Sequence, residues 1–214
     1  MTVPTINVAD RVPCTEAEGP GKRYALWVQG CPLRCPGCCN PHMLEFIDAE
    51  HIEVDRLFRE IVATEGIEGV TFLGGEPFSQ AESLGELARM LREAKLSVMV
   101  FSGFTIEQLR QRSDALLLLD HVDLLVDGPY LQEQAVSNRR WIGSANQRTH
   151  FLSDRYAAMA KEVEGWDKQS NTVELRMVNG QLQVNGFPTS GLEQFLGEIT
   201  RAKSNDAATT DEPT

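Results

Sequence analysis

The chain has 214 residues, 42% of them apolar and 24% charged, with a formal net charge of −11. That balance suits one soluble globular domain with a sizeable core, and the acidity excludes the broad basic surface that nucleic acid requires. No run approaches the ~20 uninterrupted apolar residues of a membrane span, and the greasiest stretch, ALLLLDHVDLLV, is broken by Asp120, His121 and Asp123.

The opening MTVPTINVADRVP lacks the basic start and apolar core of a secretory signal, so the chain is expected in the cytoplasm, where thiols stay reduced. YALWVQG (24–30) reads as a buried strand and runs straight into a segment holding four of the five cysteines. EVDRLFREIVATEG (53–66) sets Val54, Leu57, Ile61 and Val62 on one helical face and meets Gly66 as a stop. GVTFLG (69–74) is a second strand, and SQAESLGELARMLREA (79–94) is a helix with Ser79 as its N-cap. LSVMVFSG (96–103) is a third strand, TIEQLRQR (105–112) a helix capped by Thr105, and VDLLVDG (122–128) a fourth strand. This alternation predicts βαβ units and a parallel sheet. After Tyr130 the rhythm weakens into an irregular segment near 130–170. TVELRMV, Asn179-Gly180 and QLQVNGF then predict a hairpin, because Asn-Gly suits the positive φ angles of a type I′ turn. TSGLEQFLGEITRAK (189–203) closes as a helix, and the polar, acidic 204–214 is expected to be a disordered tail. The expected organisation is a single domain over 1–203, with its core at about 15–150 and a hairpin-and-helix appendage over about 171–203.

The residues just past each predicted strand are unusual. The cysteine segment comes after the first, Gly74-Gly75-Glu76-Pro77 after the second, Ser102-Gly103 after the third and Asp127-Gly128-Pro129 after the fourth. Taken singly, each has an ordinary reading as a turn or a helix start. Four such clusters at the C-terminal ends of successive parallel strands converge on the edge where α/β folds bind ligands. Adjacent Gly74 and Gly75 would let a ligand approach the backbone closely.

Cys31, Cys35 and Cys38 are spaced C-x3-C-x2-C. A structural zinc site would add Cys39 or His42, but zinc sites are usually built from two paired elements, and no second pair exists. Adjacent Cys38 and Cys39 are expected to diverge rather than to bind one ion together. Three thiolates in a short loop also suit a [4Fe–4S] cube that keeps one iron open to an exogenous ligand.

With GGEP after the next strand, the cysteine pattern resembles the radical S-adenosylmethionine (SAM) superfamily. EGPGKRYALWVQGCPLRCPGCCNP, FLGGEPF, VMVFSGFT, VDLLVDGPY and GSANQR, over residues 15–150, resemble in order the glycyl-radical-enzyme activating enzymes, in particular the activases of anaerobic ribonucleotide reductase. Gly37 and Cys39 stand where members of these groups carry an aromatic residue beside the third cysteine. The resemblance implies a partial (β/α) barrel of the radical SAM type, here with a C-terminal β-hairpin and helix appendage. It implies an oxidoreductase of EC 1.97.1 type that uses a [4Fe–4S] cluster on Cys31, Cys35 and Cys38 to cleave SAM reductively and generate a 5′-deoxyadenosyl radical. Gly74, Gly75 and Glu76 would meet the SAM amino group, Ser102 its ribose or carboxylate, and Asp127 would lie near SAM or help bind a cation. The implied partners are a glycyl radical enzyme, such as the large subunit of anaerobic ribonucleotide reductase, and a flavodoxin- or ferredoxin-type electron donor. Arg139, Arg140 and Arg148 form a basic island that is a candidate docking surface or a solvated loop. Two rival functions stand beside this one: a radical SAM enzyme acting on a small molecule or another peptide, and a non-catalytic Fe–S or zinc module.

Overall fold

The computed structural model describes residues 3–161, 171–178, 180–187, 191–192 and 194–195. In chain order the sheet strands are β1 (Thr5–Thr15), β2 (Arg23–Val28), β3 (Glu50–Glu53), β4 (Gly69–Gly74), β5 (Ser97–Phe101), β6 (Leu124–Asp127) and β7 (Arg148–Phe151). They form one open seven-stranded sheet in the order β3-β1-β2-β4-β5-β6-β7. The strands expected to be parallel, β2, β4, β5 and β6, are parallel neighbours. The sheet as a whole is mixed, because β1, β3 and β7 pair antiparallel at its two sides. The fold is α/β, and among the described residues no sheet closes into a barrel.

The helices are α1 (Val54–Val62), α2 (Ala81–Glu93), α3 (Ile106–Arg110), α4 (Ser113–Leu119) and α5 (Ala157–Lys161). Alternate strand residues point to opposite faces, and the two faces differ in what covers them. Tyr24, Leu26, Val28, Val70, Phe72, Val98, Val100 and Leu125 pack with the buried sides of α1 to α4 in one core. The opposite face carries Ala25, Trp27, Leu73, Met99, Leu124 and Val126, packed against loops and the segment after Tyr130. Helices α1 to α4 thus share one face, which leaves the other free for a cavity.

Sequence bounds shift where local chemistry decides. Val54, Leu57 and Ile61 are buried on α1, each worth about 1.5–3 kcal/mol, but Val62 points outward at 44% exposure. Ser79 is not an N-cap. It lies in a 3-10 turn over Pro77–Gln80 that Glu76 caps by accepting from Phe78 N, and Gln80 precedes α2. Thr105 caps α3 in a full capping box with Gln108.

The hairpin forms as β8 (Val173–Val178) and β9 (Gln181–Gly186), and Val178 faces Gln181 across a two-residue turn. Gly180 has φ +78, as that turn demands. The closing helix falls mostly, and the acidic tail wholly, outside the described residues. Among the described residues, no helix is long and apolar enough to cross a membrane.

Candidate functional site

The C-terminal ends of β2, β4 and β5 open on a cavity of about 750 Å³. Its wall contains Cys31, Cys35, Cys38, Gly74, Gly75, Glu76 and Ser102, seven of the eight residues that sequence singled out. Trp27, Leu73 and Phe101, from the sheet face without helices, supply an apolar floor.

The cysteine loop is anchored at its base. Gly30 N donates to Met43 O at 2.9 Å and Cys31 N to Leu44 O at 3.0 Å, so the loop leaves and rejoins the body side by side. Arg34 makes a two-pronged pair with Glu45 at 2.8 and 2.7 Å across the exposed side. Burial pushes the Cys31 thiol up. Cys38 and Cys39 both reach the cavity wall, Cys38 Sγ accepts from Asn40 N at 3.4 Å, and the influence of each thiol on the other pulls Cys38 down to about 6 and pushes Cys39 up. Cys14, in β1, is not on the wall.

The two glycines serve the protein's own packing. A Cβ on Gly75 would lie 2.3 Å from Gly30 O and 2.9 Å from Met43 O, and one on Gly74 (φ +108) 2.6 Å from Val28 N. The bare backbone therefore lets the end of β4 tuck beneath the start of the cysteine loop, where Gly75 N donates to Val28 O at 2.8 Å and Glu76 N to Gly30 O at 2.9 Å. Closeness to β2 and the cysteine loop already requires these glycines.

Glu76 is fully buried and joins two strand ends. Its Oε1 accepts from Phe78 N (3.0 Å) and Ser102 Oγ (2.9 Å), and its Oε2 accepts from Gly103 N (2.8 Å). Burial pushes its carboxyl up to about 7 against those three donors. Ser102 Oγ also accepts from Phe104 N at 3.1 Å, so the hydroxyl holds Glu76 and the turn after β5 together.

Asp127 is the exception, because it is buried but not on the cavity wall. Its Oδ2 accepts from Ile106 N at the start of α3 (2.6 Å) and from Arg148 Nη2 (2.6 Å), and its Oδ1 accepts from Arg148 Nε (3.1 Å). Burial pushes this carboxyl up, but Arg148, Ile106 N–H and His150 outweigh it and hold the group below its ordinary value. The basic island is likewise committed. Arg148 bridges Asp127 and Glu107, and the Arg140 guanidinium stacks 4.2 Å over the Trp141 ring.

Sequence missed several wall residues. Glu18 is 3% exposed, accepts from Gly186 N at 2.8 Å, and is pushed up to about 7 by burial. Val184, Gly186 and Phe187 reach the wall from the hairpin, and Trp141 from the irregular segment. Only their convergence in space identifies them. Trp27 was legible in principle, as the residue alternating with Leu26 and Val28 onto the other sheet face.

The donor set discriminates among metals. Among the described residues, no group of three or more His, Cys, Asp or Glu side chains converges as a single ion would need. Three thiols spread along one loop, facing a cavity of this size, fit a larger polynuclear iron–sulfur group. Among the described residues, Glu18 and Glu76 are the only Asp, Glu, Lys, Arg or His side chains on the wall, so in its ionised form the wall suits a cationic ligand.

Comparison with known proteins agrees with that chemistry. A family described as "4Fe-4S single cluster domain" matches residues 17–150. The anaerobic ribonucleoside-triphosphate reductase-activating protein of Vibrio cholerae serotype O1 is 29% identical over 154 residues, covering 68% of this chain and 97% of that protein. Its namesake in Enterobacteria phage T4 is 29% identical over 153 residues, covering 68% and 94%. That of Escherichia coli K12 is 24% identical over 156 residues, covering 69% and 99%. Among solved structures, QueE from Escherichia coli aligns with a TM-score of 0.37 and 20% identity over 47% of this chain and 52% of its own.

Proposed function

The chain belongs to the 4Fe-4S single cluster domain family, and from that premise we propose that it is a radical SAM activating enzyme that installs a glycyl radical on a partner of the anaerobic ribonucleotide reductase kind. The observation that carries the reading is the shared cavity: the three C-x3-C-x2-C cysteines, Gly74, Gly75, Glu76 and Ser102 line one wall whose charged side chains, among the described residues, are carboxylates. The relatives named as reductase-activating proteins support it, since the chain spans nearly their whole length.

Cys31, Cys35 and Cys38 would hold three irons of a [4Fe–4S] cluster and leave the fourth to the amino and carboxylate groups of SAM. With SAM bound, such a cluster would supply one electron to the sulfonium, so that the C5′–S bond breaks, methionine leaves, and the 5′-deoxyadenosyl group takes a hydrogen atom from a glycine Cα to give 5′-deoxyadenosine and a glycyl radical. The chain's own contribution is to bind and orient. The carboxylate of Glu76 and the nearby backbone carbonyls are acceptors suited to an ammonium group. Ser102 fixes the Glu76 rotamer, and Trp27, Leu73 and Phe101 keep water from the reacting region. Asp127 acts from behind, by setting α3 and Arg148. In this reading the open sheet is a partial radical SAM barrel within a single domain over about 1–203, and its open side admits a loop of the partner. A flavodoxin- or ferredoxin-type protein supplies the electron in the cytoplasm.

The test is anoxic. Wild-type protein should hold iron and sulfide in equal amounts, cleave SAM with dithionite, and give a glycyl radical signal by electron spin resonance when mixed with the reductase large subunit. Cys31→Ala, Cys35→Ala and Cys38→Ala should each lose cluster and cleavage, and Cys14→Ala should keep both. Cleavage without a glycyl radical would redirect the reading to a small-molecule or other peptide substrate. A cluster that neither binds nor cleaves SAM would leave only a non-catalytic module.

A further inference from the structure

The hairpin β8–β9 lies outside the family span of 17–150, and the relatives' matches leave about a third of this chain uncovered. The shared chemistry therefore does not require it, yet Val184, Gly186 and Phe187 line the cavity. Its strands are attached through polar groups, Glu174 Oε1 accepting from Glu16 N at 2.7 Å, Arg176 donating to Cys14 O and Glu18 accepting from Gly186 N at 2.8 Å, while Phe187 just past β9 packs against Phe101. The strand register sets the opposite face. Val173, Leu175 and Met177 stand across from Gly186, Val184 and Leu182, so one side carries no charge at all. Toward the hairpin turn that side faces out, with Leu175 51%, Met177 64%, Leu182 39% and Val184 38% exposed.

An acidic chain that seats the polar face of a hairpin and exposes the apolar one has the order inverted relative to folding alone. Resting on the function proposed above, we propose that this apolar face is the docking surface for the glycine-bearing partner protein. Val184 belongs both to the face and to the cavity wall, so the surface runs without a break into the mouth that the glycine loop must enter. A small-molecule substrate would need the cavity but not an apolar surface beside it. A protein rim of this kind matches the uncharged centre of protein–protein interfaces.

The experiment uses the full, cluster-loaded chain and the reductase large subunit under anoxia. Leu175→Gln/Met177→Gln alters two exposed side chains that are not on the cavity wall. It should weaken binding to the reductase about tenfold or more and leave partner-independent SAM cleavage within about twofold of wild type. Photogenerated carbene should label the hairpin peptide of the isolated protein, and the reductase should suppress that labelling. An unchanged dissociation constant, or labelling indifferent to the reductase, overturns the proposal. So does protection in the isolated protein at every concentration, which would mean that the face is covered by its own chain. Protection that grows with protein concentration alongside dimer in sedimentation also overturns it, in favour of a second copy. Wild type that binds the reductase but forms no glycyl radical would sink the function and not the docking face, because the affinity difference is read separately.

Discussion

At Gly75 a single carbon decides whether two functional segments can meet. The Cβ of an alanine would sit 2.3 Å from Gly30 O and 2.9 Å from Met43 O, both backbone atoms with no side chain to swing away. Gly75→Ala is therefore expected to push β4 off the cysteine loop and lose most of the bound iron and sulfide, although no ligand atom is touched. Iron content equal to wild type would refute it. Glu76 makes a different prediction, one about pH. Its folded value near 7 lies above its ordinary 4.5, so the native state holds a proton that the unfolded chain releases between those values. Stability from this group is thus full below about 4.5, falls as pH rises to about 7, and is flat beyond, a loss of about 3 kcal/mol. Glu18, with the same displacement, adds a like amount. In Glu76→Gln the drop in stability between pH 5 and 8 should shrink by about half, measured as the difference between variant and wild-type urea curves.

Elements were legible where burial leaves a pattern. β2, β4, β5 and β6 are covered on both faces, so each is a near-continuous apolar run bounded by glycine or a polar residue. β3 (EHIE) and β7 (RTHF) carry one strongly apolar residue each and exist by pairing with β1 and β6, a partner that one-dimensional pattern cannot supply. The cap of α3 is readable because Thr105 and Gln108 are local, whereas the part that Asp127, expected near SAM or a cation, plays at the same helix start is not. Its partners Ile106 and Arg148 are both 21 residues away. This structural role is testable. Asp127→Ala deletes the acceptor for Ile106 N and the inner half of the Arg148 bridge, and should cost about 2 kcal/mol. Reductive SAM cleavage by the folded variant should stay within about threefold of wild type. Abolished cleavage at unchanged stability would return Asp127 to the cavity.

Across the whole molecule, the two ends of the parallel strands have different roles. The C-terminal ends carry the cavity, and the opposite ends are fastened by Arg23, which is wholly buried and, among the described residues, has no carboxylate in hydrogen-bonding reach. Its guanidinium donates to Thr71 Oγ1 (2.7 Å), Val70 O (2.6 Å), Ser97 Oγ (2.9 Å) and Tyr156 OH (3.1 Å), which joins β2, β4, β5 and the segment after β7. Burial pulls its pKa down, against Tyr156 and the more distant charge of Asp123, which favour the guanidinium. Replacing a buried charge by a hydrocarbon of similar length can be neutral or even stabilising when nothing is orphaned. Here the outcome turns on what is left behind. The hydroxyls can re-pair, since Tyr156 already donates to Ser97 Oγ and Thr71 to the Glu18 carbonyl. The carbonyls of Val70, Pro20 and Ser97 lose this donor, at about 1–3 kcal/mol for each one left unsatisfied. The orphaned carbonyls should outweigh the relief of desolvation, so Arg23→Met is expected to lower the free energy of unfolding by about 3 kcal/mol. The denaturant slope should stay unchanged, and the cluster-binding stoichiometry of the remaining folded protein should be normal. A loss below about 1 kcal/mol would mean that these strand ends are held by their apolar packing and that the guanidinium merely fills space.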